Sequence, residues 1–226
     1  GQISAAGGTV AGHVARWNGT EWSAVPQGFN ASISSLAVFD DGSGPALYVG
    51  GAFTTTGAVP ASRIAKWNGS AWSAVGQGVN EQVYAMVVFD DGSGPALYAG
   101  GDITIAGGVS VDHVARWNGS TWSAFGSGLN AAIECMAVYD HGQGAKLEVG
   151  GHFTGGVAEW NGNAWSMLGS GIAGWPEAMT VFDGGSGPAL CVTGQFTVAG
   201  GLPAIRIAVW NGQAWSPMGG GADAPV

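Results

Sequence analysis

The sequence is poor in charge, and above all in positive charge. Only 9% of its 226 residues are charged, and six Lys and Arg stand against fifteen Asp and Glu, for a formal net charge of −9. Proteins bind nucleic acids and anionic membrane surfaces through clustered cations, so this balance argues against both partners. The hydrophobic content of 46% also excludes a disordered chain, which needs high charge and few apolar residues.

Long apolar runs are lacking as well. No stretch approaches the roughly 18 apolar residues of a membrane-spanning helix, so we expect no membrane insertion. The N-terminus lacks the basic and apolar regions of a signal peptide. Because residue 1 is Gly and not Met, we expect that a leader or part of a larger parent was removed. The acidic pI near 4.5 and the low Lys content favour a secreted bacterial protein, hence an extracellular location.

Cysteine is also scarce. Cys135 and Cys191 do not follow a metal-ligand spacing, and neither belongs to the repeat pattern described below. One copy of the repeat has Ala85 where another has Cys135, and one has Tyr98 where another has Cys191. We interpret both as small buried free thiols, with a single disulfide as the alternative. We predict no cofactor.

What the chain does have is a repeat. The motif Trp-Asn-Gly-x-x-Trp occurs five times, at successive spacings of 50, 50, 43 and 50 residues. A period near 50 is about the length of a four-stranded propeller blade. We therefore predict one all-β propeller domain over residues 1–226, with repeats 1–50, 51–100, 101–150 and 151–193 and a partial repeat 194–226. We interpret the ten motif Trp as structural, with sugar stacking as the alternative: Trp17, Trp22, Trp67, Trp72, Trp117, Trp122, Trp160, Trp165, Trp210 and Trp215.

Each repeat is predicted to contain four short strands. The first, VYAMVVFDDG in the best-preserved copy, is apolar on both faces and should be buried on both. The second, GPALYAGG, ends in a Gly doublet that permits close backbone approach. The third and fourth, DHVARWNG and TWSAFGSG, form a hairpin around Asn-Gly, which is typical of a type I′ turn with positive φ at both central residues.

This layout resembles the kelch motif, in which an apolar strand ends in a Gly doublet and is followed by an aromatic residue and then a Trp. The matching residues here are ALYVGG at 46–51, then Trp67 and Trp72, although kelch repeats have a longer turn than WNGSAW. The chain is more similar to propeller-like repeats of secreted bacterial proteins, of the form GGxFTxAGG…IARWNGxxWSxLGxG. That resemblance covers nearly the whole chain, and it implies a fold and an extracellular setting but no activity.

The number of predicted innermost strands does not equal the number of Trp hairpins. Innermost strands are predicted to start near Ile33, Val83, Ile133 and Ala178, whereas the hairpins number five, so the hairpin at 13–25 lacks its two inner strands. We predict a five-bladed propeller with four complete blades and one incomplete blade, closed by strands from both termini. An incomplete blade exposes backbone and apolar side chains. We therefore expect a protein partner or self-association there, or a longer parent that supplies the strands.

Two departures from the repeat have local interpretations. The fourth copy lacks seven residues equivalent to 105–111, which we interpret as a shortened loop. The acidic turns after the first strands, such as Asp40-Asp41 and Asp90-Asp91, are interpreted as turn chemistry with Ca²⁺ binding as the alternative. Their spacing is not that of a known calcium loop, and we predict no metal site.

One group of residues is a candidate ligand site. The segments before the inner strands should gather near the ring centre, and they carry Asn130, Glu134 and Glu177. Trp175, which lies outside the hairpin pattern, belongs to the same face; we favour packing into the gap left by the shorter copy, with ligand binding as the alternative. An exposed aromatic beside polar groups suits ligand binding. His141 and His152 stand alone in sequence, so we predict no catalytic residues.

These observations lead us to expect a non-enzymatic extracellular propeller that serves as a structural or protein-interaction module. The alternative is a multivalent carbohydrate-binding lectin, with shallow sites between blades that use the hairpin Trp. A third reading, a propeller hydrolase with a site in the central channel, is weaker because conspicuous acid, base and metal groups are missing.

Overall fold

The computed structural model describes residues 3–222, and its regular elements are all β-strands. Within that range there is no helix of the length and apolar character needed to cross a membrane. In chain order the strands are β1 (Ala5–Ala6), β2 (Thr9–Val10), β3 (Ala15–Trp17), β4 (Trp22–Ala24), β5 (Ile33–Asp40), β6 (Pro45–Gly51), β7 (Thr55–Thr56), β8 (Val59–Pro60), β9 (Ile64–Trp67), β10 (Trp72–Ala74), β11 (Val83–Asp90), β12 (Pro95–Gly101), β13 (Ile105–Ala106), β14 (Val109–Ser110), β15 (Val114–Trp117), β16 (Trp122–Ala124), β17 (Ile133–Tyr139), β18 (Lys146–Gly151), β19 (Val157–Trp160), β20 (Trp165–Met167), β21 (Ile172–Asp183), β22 (Pro188–Ala199), β23 (Leu202–Pro203), β24 (Ile207–Trp210) and β25 (Trp215–Pro217).

The strands form four antiparallel sheets of one design. Sheet 1 is β5-β6-β9-β10, sheet 2 is β11-β12-β15-β16, sheet 3 is β17-β18-β19-β20, and sheet 4 is β21-β22-β24-β25 with β23 paired to β22. In every sheet the chain pairs the first strand with the second, the second with the third, and the third with the fourth. The predicted all-β fold with repeated four-stranded units is confirmed.

The Gly doublets allow the close backbone approach that their position predicts. A Cβ on Gly51 would lie 2.2 Å from the carbonyl oxygen of Ser32, and one on Gly101 would lie 2.0 Å from that of Gln82. Real Cβ atoms do not approach backbone oxygens this closely. The second strand therefore ends in Gly because its partner strand begins against it.

The Trp hairpins are present, but the expected type I′ turn is wrong. The backbone N–H of Asn18 donates to the carbonyl of Glu21, so the tip is formed by Gly19 and Thr20, and of these the glycine has positive φ, at 103°. The Asn18 side-chain oxygen accepts the backbone N–H groups of Thr20 and Glu21, both at 2.9 Å. Asn is required for this bracing and not for a left-handed backbone.

Successive sheets pack face to face along the chain. The first strands adjoin in the order β5, β11, β17, β21, and an apolar cluster lies at each of the three junctions. At the first junction, Tyr48 of sheet 1 lies in one buried cluster with Met86 and Leu97 of sheet 2. Among the described residues β5 and β21 do not pack on each other to a similar extent. The row of four sheets thus has two ends.

Small hairpins follow the second strands. In two repeats they are β7-β8 and β13-β14, β1-β2 is the equivalent before the first Trp hairpin, and in sheet 4 the end of β22 pairs with β23. Sheet 3 lacks this element because the seven missing residues correspond to β13-β14 and its flanks. The deletion lies between the second and third strands, as predicted, and the connection that it shortens contains a two-stranded hairpin in sheets 1 and 2.

The two cysteines are unpaired. Cys135 is buried and Cys191 is half-buried, and the structure contains no bond between them. Burial raises the pKa of both thiols. The interpretation as free thiols is confirmed.

Candidate binding surfaces

The first Trp hairpin is half of a sheet. Strands β3 and β4 pair Trp17 with Trp22, the register found in the complete sheets, but within residues 3–222 they form a sheet of two strands. Val14 at the base of the hairpin lies in a buried cluster with Phe53 and Ala65 of sheet 1. The hairpin is therefore anchored on sheet 1 through its outer part, and its inner strands are missing as the strand count predicts. The expected closure by strands from both termini involves residues 1–2 and 223–226, which lie outside the described residues.

The missing strands leave apolar side chains uncovered on β5. Leu36 and Val38 are 55% and 67% exposed, whereas Met86, which is equivalent to Leu36 in sheet 2, is 7% exposed. In sheet 2 this position is covered by sheet 1, where the Met86 side chain lies against Gly50 of β6 and its backbone N–H donates to the Ser35 hydroxyl of β5. No strand occupies the corresponding place in front of β5 within the described part of the chain.

The hairpin also presents an unpaired backbone edge. Because the N–H of Asn18 points to β4, the alternation of backbone groups along an antiparallel strand directs the N–H groups of Ala15 and Trp17 to the other side. In the complete sheets that side of the third strand pairs with the second strand, as β15 pairs with β12. We call the region bounded by this edge of β3 and by Leu36 and Val38 the open slot.

The Trp residues of the incomplete sheet differ from the others in exposure. Trp17 and Trp22 are 50% and 43% exposed, with ring centroids 5.4 Å apart. The other eight hairpin Trp pack between sheets and are buried or half-buried. They are Trp67, Trp72, Trp117, Trp122, Trp160, Trp165, Trp210 and Trp215.

The glycine at the end of each sheet also differs between the covered sheets and the open end of the row. A Cβ on Gly76 would lie 3.0 Å from the ring of Trp117 in the next sheet, and one on Gly126 would lie even closer to Trp160. Gly219 is the equivalent residue at the end of sheet 4, and no atom lies within 4 Å of the Cβ it would carry. The end of sheet 4 is therefore not covered by a Trp hairpin within the described residues.

In sheets 1 and 2 the turn of the inner hairpin forms an ion pair with the third strand of the same sheet. Lys66 Nζ lies 2.5 Å from Asp41 Oδ2 in sheet 1, and Arg116 Nε lies 3.3 Å from Asp91 Oδ2 in sheet 2. Burial raises the pKa of Asp41, but hydrogen bonds from Lys66, Ser43 and Tyr48 outweigh it and hold that pKa well below its usual range.

In sheet 3 the third-strand position is acidic and the turn position holds a histidine. Glu159 occupies the third-strand position, and its carboxylate lies 3.4 Å from His141 Nε2 and 3.2 Å from Lys146 Nζ. His141 has no repeat partner in the sequence, and the turn places it opposite Glu159. Arg16 holds the same position in β3, where it is exposed and forms no ion pair with any residue of 3–222.

A second surface is a row of polar pairs at one end of the sheets. Each pair joins a residue of the first strand to the residue that follows the Gly doublet, or Thr193-Gly194 in sheet 4, and we call the set the polar row. The pairs are Tyr84 Oη donating to Asp102 at 2.6 Å, Glu134 Oε1 at 3.7 Å from His152 Nε2, and Gln195 Nε2 donating to Glu177 at 2.6 Å. Burial and the charges of Asp102 and Glu177 raise the pKa of Glu134, which His152 partly offsets.

Three of the predicted site residues come together in the polar row. Trp175 is exposed, and its ring centroid lies 5.1 Å from that of His152, which in turn adjoins Glu134. Glu177 follows two positions after Trp175. His152 was expected to stand alone and does not, because it follows the Gly doublet of sheet 3 and so faces the first strand across the sheet.

Asn130 lies apart from this group and has a bracing contact. Its side-chain oxygen accepts the backbone N–H of Thr154 at 3.1 Å, and its amide donates to the Thr154 hydroxyl at 3.0 Å. Asn30 and Asn80 make the same bonds to Thr54 and Thr104. Because the same bonds recur in three copies, we interpret this Asn as a structural residue that fixes the two chain segments to each other.

The acidic turns bind their own backbone. Asp40 Oδ1 accepts the N–H groups of Gly42 and Gly44 at 2.9 and 3.0 Å, which closes the turn between β5 and β6. Within residues 3–222 no group of three or more His, Cys, Asp or Glu side chains is placed to hold a metal ion.

Two structural features were not predicted from the sequence, although each has a recognisable sequence pattern. His13, Arg63, His113 and Arg206 all have positive φ between 62° and 74°, and Arg63 Nη1 donates to the Ala52 carbonyl at 2.6 Å. Their shared position four residues before a Trp was the signal. The other feature is Glu148, which is buried without a hydrogen-bond donor for either carboxyl oxygen among the described residues and replaces a repeat Tyr.

Comparisons with known proteins assign neither a family nor an activity to this chain. No protein-family model matches it, and no curated protein sequence matches it. Among solved structures it is similar to the crystal structure of the computationally designed Ika4 protein, at 14% identity and a TM-score of 0.49, over 81% of this chain and 93% of that chain.

Proposed function

We propose that this protein is a non-enzymatic, extracellular β-propeller of kelch-like repeats that binds other proteins. In this proposal sheets 1 to 4 are four blades, and the hairpin β3-β4 is the outer half of a fifth. The observation that carries the proposal is the open slot, where an unpaired strand edge adjoins uncovered apolar side chains. The extracellular setting is inferred from composition and from the resemblance of the repeats.

The open slot has the physical properties of a protein-binding surface. An unpaired edge presents N–H and C=O groups that pair readily with another strand, and proteins usually blunt or cover such edges. Contiguous exposed apolar side chains mark interaction sites in the same way. Here the edge of β3 lies beside Leu36 and Val38, with Trp17 exposed at its end. Strand addition to such an edge is a common mode of peptide recognition.

We also propose that the ring closes with five blades, through contact between the first Trp hairpin and the uncovered end of sheet 4. In the complete sheets a Trp packs on the terminal glycine of the preceding sheet, as Trp117 does on Gly76. Trp17 is the exposed Trp at the start of the row, and Gly219 is the uncovered glycine at its end. Closure would bring these two together and leave the open slot as the gap in the ring.

The test is association through the open slot. Without a partner present, we expect two copies to bury their apolar slots against each other, so wild-type protein should associate more as its concentration rises. Val38→Asp should abolish this association because it places a charge in the slot. Sedimentation velocity over a wide concentration range measures the effect.

The matched control is Val109→Asp, which changes an exposed apolar residue of β14 outside the slot. It should associate as the wild type does. Equal association of V38D and wild type would contradict a role for the slot in self-association. If the wild type also failed to bind the hairpin described in the next subsection, the proposed function would be wrong.

Glycan binding at the polar row is the second candidate, and the observation that favours it is Trp175. This exposed ring lies beside His152 and close to Glu177 and Gln195, which supply hydrogen-bonding groups. Aromatic faces with adjacent polar groups suit sugar rings. We expect signals on a glycan array that Trp175→Ala removes and Trp22→Ala keeps. Silence of the wild type across the array would exclude this candidate.

A further inference from the structure

The four complete sheets follow a charge rule that relates the turn of the inner hairpin to the third strand. Where the third strand carries a cation the second residue of the turn is Asp, where it carries Glu that residue is His, and where it is uncharged that residue is Gly. The pairs, third strand first, are Lys66 with Asp41, Arg116 with Asp91, Glu159 with His141, and Val209 with Gly184.

Arg16 occupies the third-strand position of the half-sheet. Its equivalents Lys66 and Arg116 are largely buried by their Asp partners, whereas Arg16 is exposed and has no ion pair in the described residues. The charge rule therefore specifies an acidic residue at the turn of whatever hairpin pairs with β3.

We infer that the open slot is a docking site for a β-hairpin of the chain's own inner-strand type, supplied by a separate polypeptide segment, with an acidic residue in its turn facing Arg16. The inference rests on the proposed function and names the chemistry of the partner. The hairpin's second strand pairs with the edge of β3, and the face that the two strands of the hairpin present to sheet 1 covers Leu36 and Val38.

The complete sheets show that this geometry is available. In sheet 2, β12 pairs with β15 from Leu97 opposite Trp117 to Gly100 opposite Val114. The strand equivalent to β15 in the half-sheet is β3, which has the same pairing with its fourth strand as β15 has with β16. A hairpin like β11-β12 therefore meets an edge of the same register and sequence type.

A second copy of the chain is a poor donor of this hairpin. Each of its four inner hairpins is already paired within a complete sheet. Withdrawing β11-β12, for example, would expose Leu97, Tyr98 and Ala99, which are fully buried. Inserting that hairpin into the slot of another copy would bury these side chains again but would open an equal gap in the donor, so the exchange gives no net burial. The favoured donor is a hairpin that has no sheet of its own.

The first experiment measures binding of a synthetic peptide with the sequence of residues 82–101 to the full chain by calorimetry. We expect saturable binding to the wild type, and roughly fivefold weaker binding of the peptide that carries Asp91→Lys. Arg16→Glu should reverse this order and prefer the D91K peptide. Arg16 is exposed, so the variant should fold as the wild type does.

Two proline variants test the backbone edge. Ala15→Pro removes an N–H that points into the open slot, and proline is tolerated where a strand edge faces solvent, so this variant should fold but bind neither peptide. Ala24→Pro is the matched control, because the alternation along β4 directs the N–H of Ala24 to the opposite edge of the hairpin. It should bind the peptide as the wild type does.

Three outcomes would overturn the inference. These are no saturable peptide binding by the wild type, binding that Ala15→Pro leaves unchanged, and a preference between the peptides that Arg16→Glu does not reverse. A slot-dependent dimer that excludes the peptide at every concentration would assign the slot to a second copy; it would overturn the inference and leave the proposed function standing.

Discussion

At the scale of single residues, Glu148 is a buried carboxyl group whose two oxygens accept no hydrogen bond from the described residues. It lies on the second strand of sheet 3, where sheets 1 and 2 carry Tyr48 and Tyr98. Burial and the neighbouring Glu159 raise the pKa of Glu148 to about 9. The tyrosines keep a hydroxyl at the edge of the core, whereas the shorter Glu ends inside it.

We predict that Glu148→Gln removes a pH dependence of stability. The folded protein holds a proton on Glu148 up to about pH 9, while the unfolded chain releases it near the ordinary Glu value. Stability contributed by the protonated carboxyl is therefore full at acid pH and is lost as pH rises between these two values, by up to about 1.4 kcal/mol per pH unit. Urea unfolding at several pH values measures the slope.

The comparison uses Glu21→Gln, which alters an exposed carboxyl and should leave the slope unchanged. Glu148→Gln should be more stable than the wild type above neutral pH. A variant whose free energy of unfolding fell with pH as steeply as that of the wild type would show that Glu148 is not the group responsible.

At the scale of the strand, the Gly doublet sets how closely the first two strands of a sheet approach. We predict that Gly101→Ala destabilises the protein by about 1 to 3 kcal/mol, because its Cβ would overlap the Gln82 carbonyl oxygen and the backbone must shift. Chemical denaturation measures the change.

Gly220→Ala is the matched control, since its Cβ would meet no atom within 4 Å and its φ does not lie in the left-handed region. The expected change is within about 0.5 kcal/mol. Equal stability of the two variants would mean that the strands separate at little cost.

Strand positions could largely be predicted from the sequence, and their contacts could not. The four first strands were expected from apolar runs, and β5, β11 and β17 begin at Ile33, Val83 and Ile133 as predicted. β21 begins earlier, at Ile172, because its extended start pairs with the end of β22. The two-residue strands such as β13 were missed, since such short pairs leave no periodicity to detect.

At the scale of the whole molecule, the repeat count predicted four complete sheets and one hairpin without inner strands. Apolar patterning carries that information because every copy repeats it. The candidate site was predicted in part: Trp175, Glu134 and Glu177 share a surface, but the partners His152 and Gln195 were missed. Residues that face each other across two strands lie 18 positions apart in the chain, and neither composition nor local pattern relates them.

The acidic third strand of sheet 3 bears on how a chain of near-identical repeats folds without error. Copies so similar can exchange strands, and such mispairing is a common failure of repeat proteins. If β19 took its inner hairpin from sheet 2, Glu159 would face Asp91, and like charges would oppose the pairing. The same clash would meet the hairpin of sheet 1. The third strand of sheet 3 thus favours its own inner hairpin during folding and disfavours the inner hairpins of sheets 1 and 2.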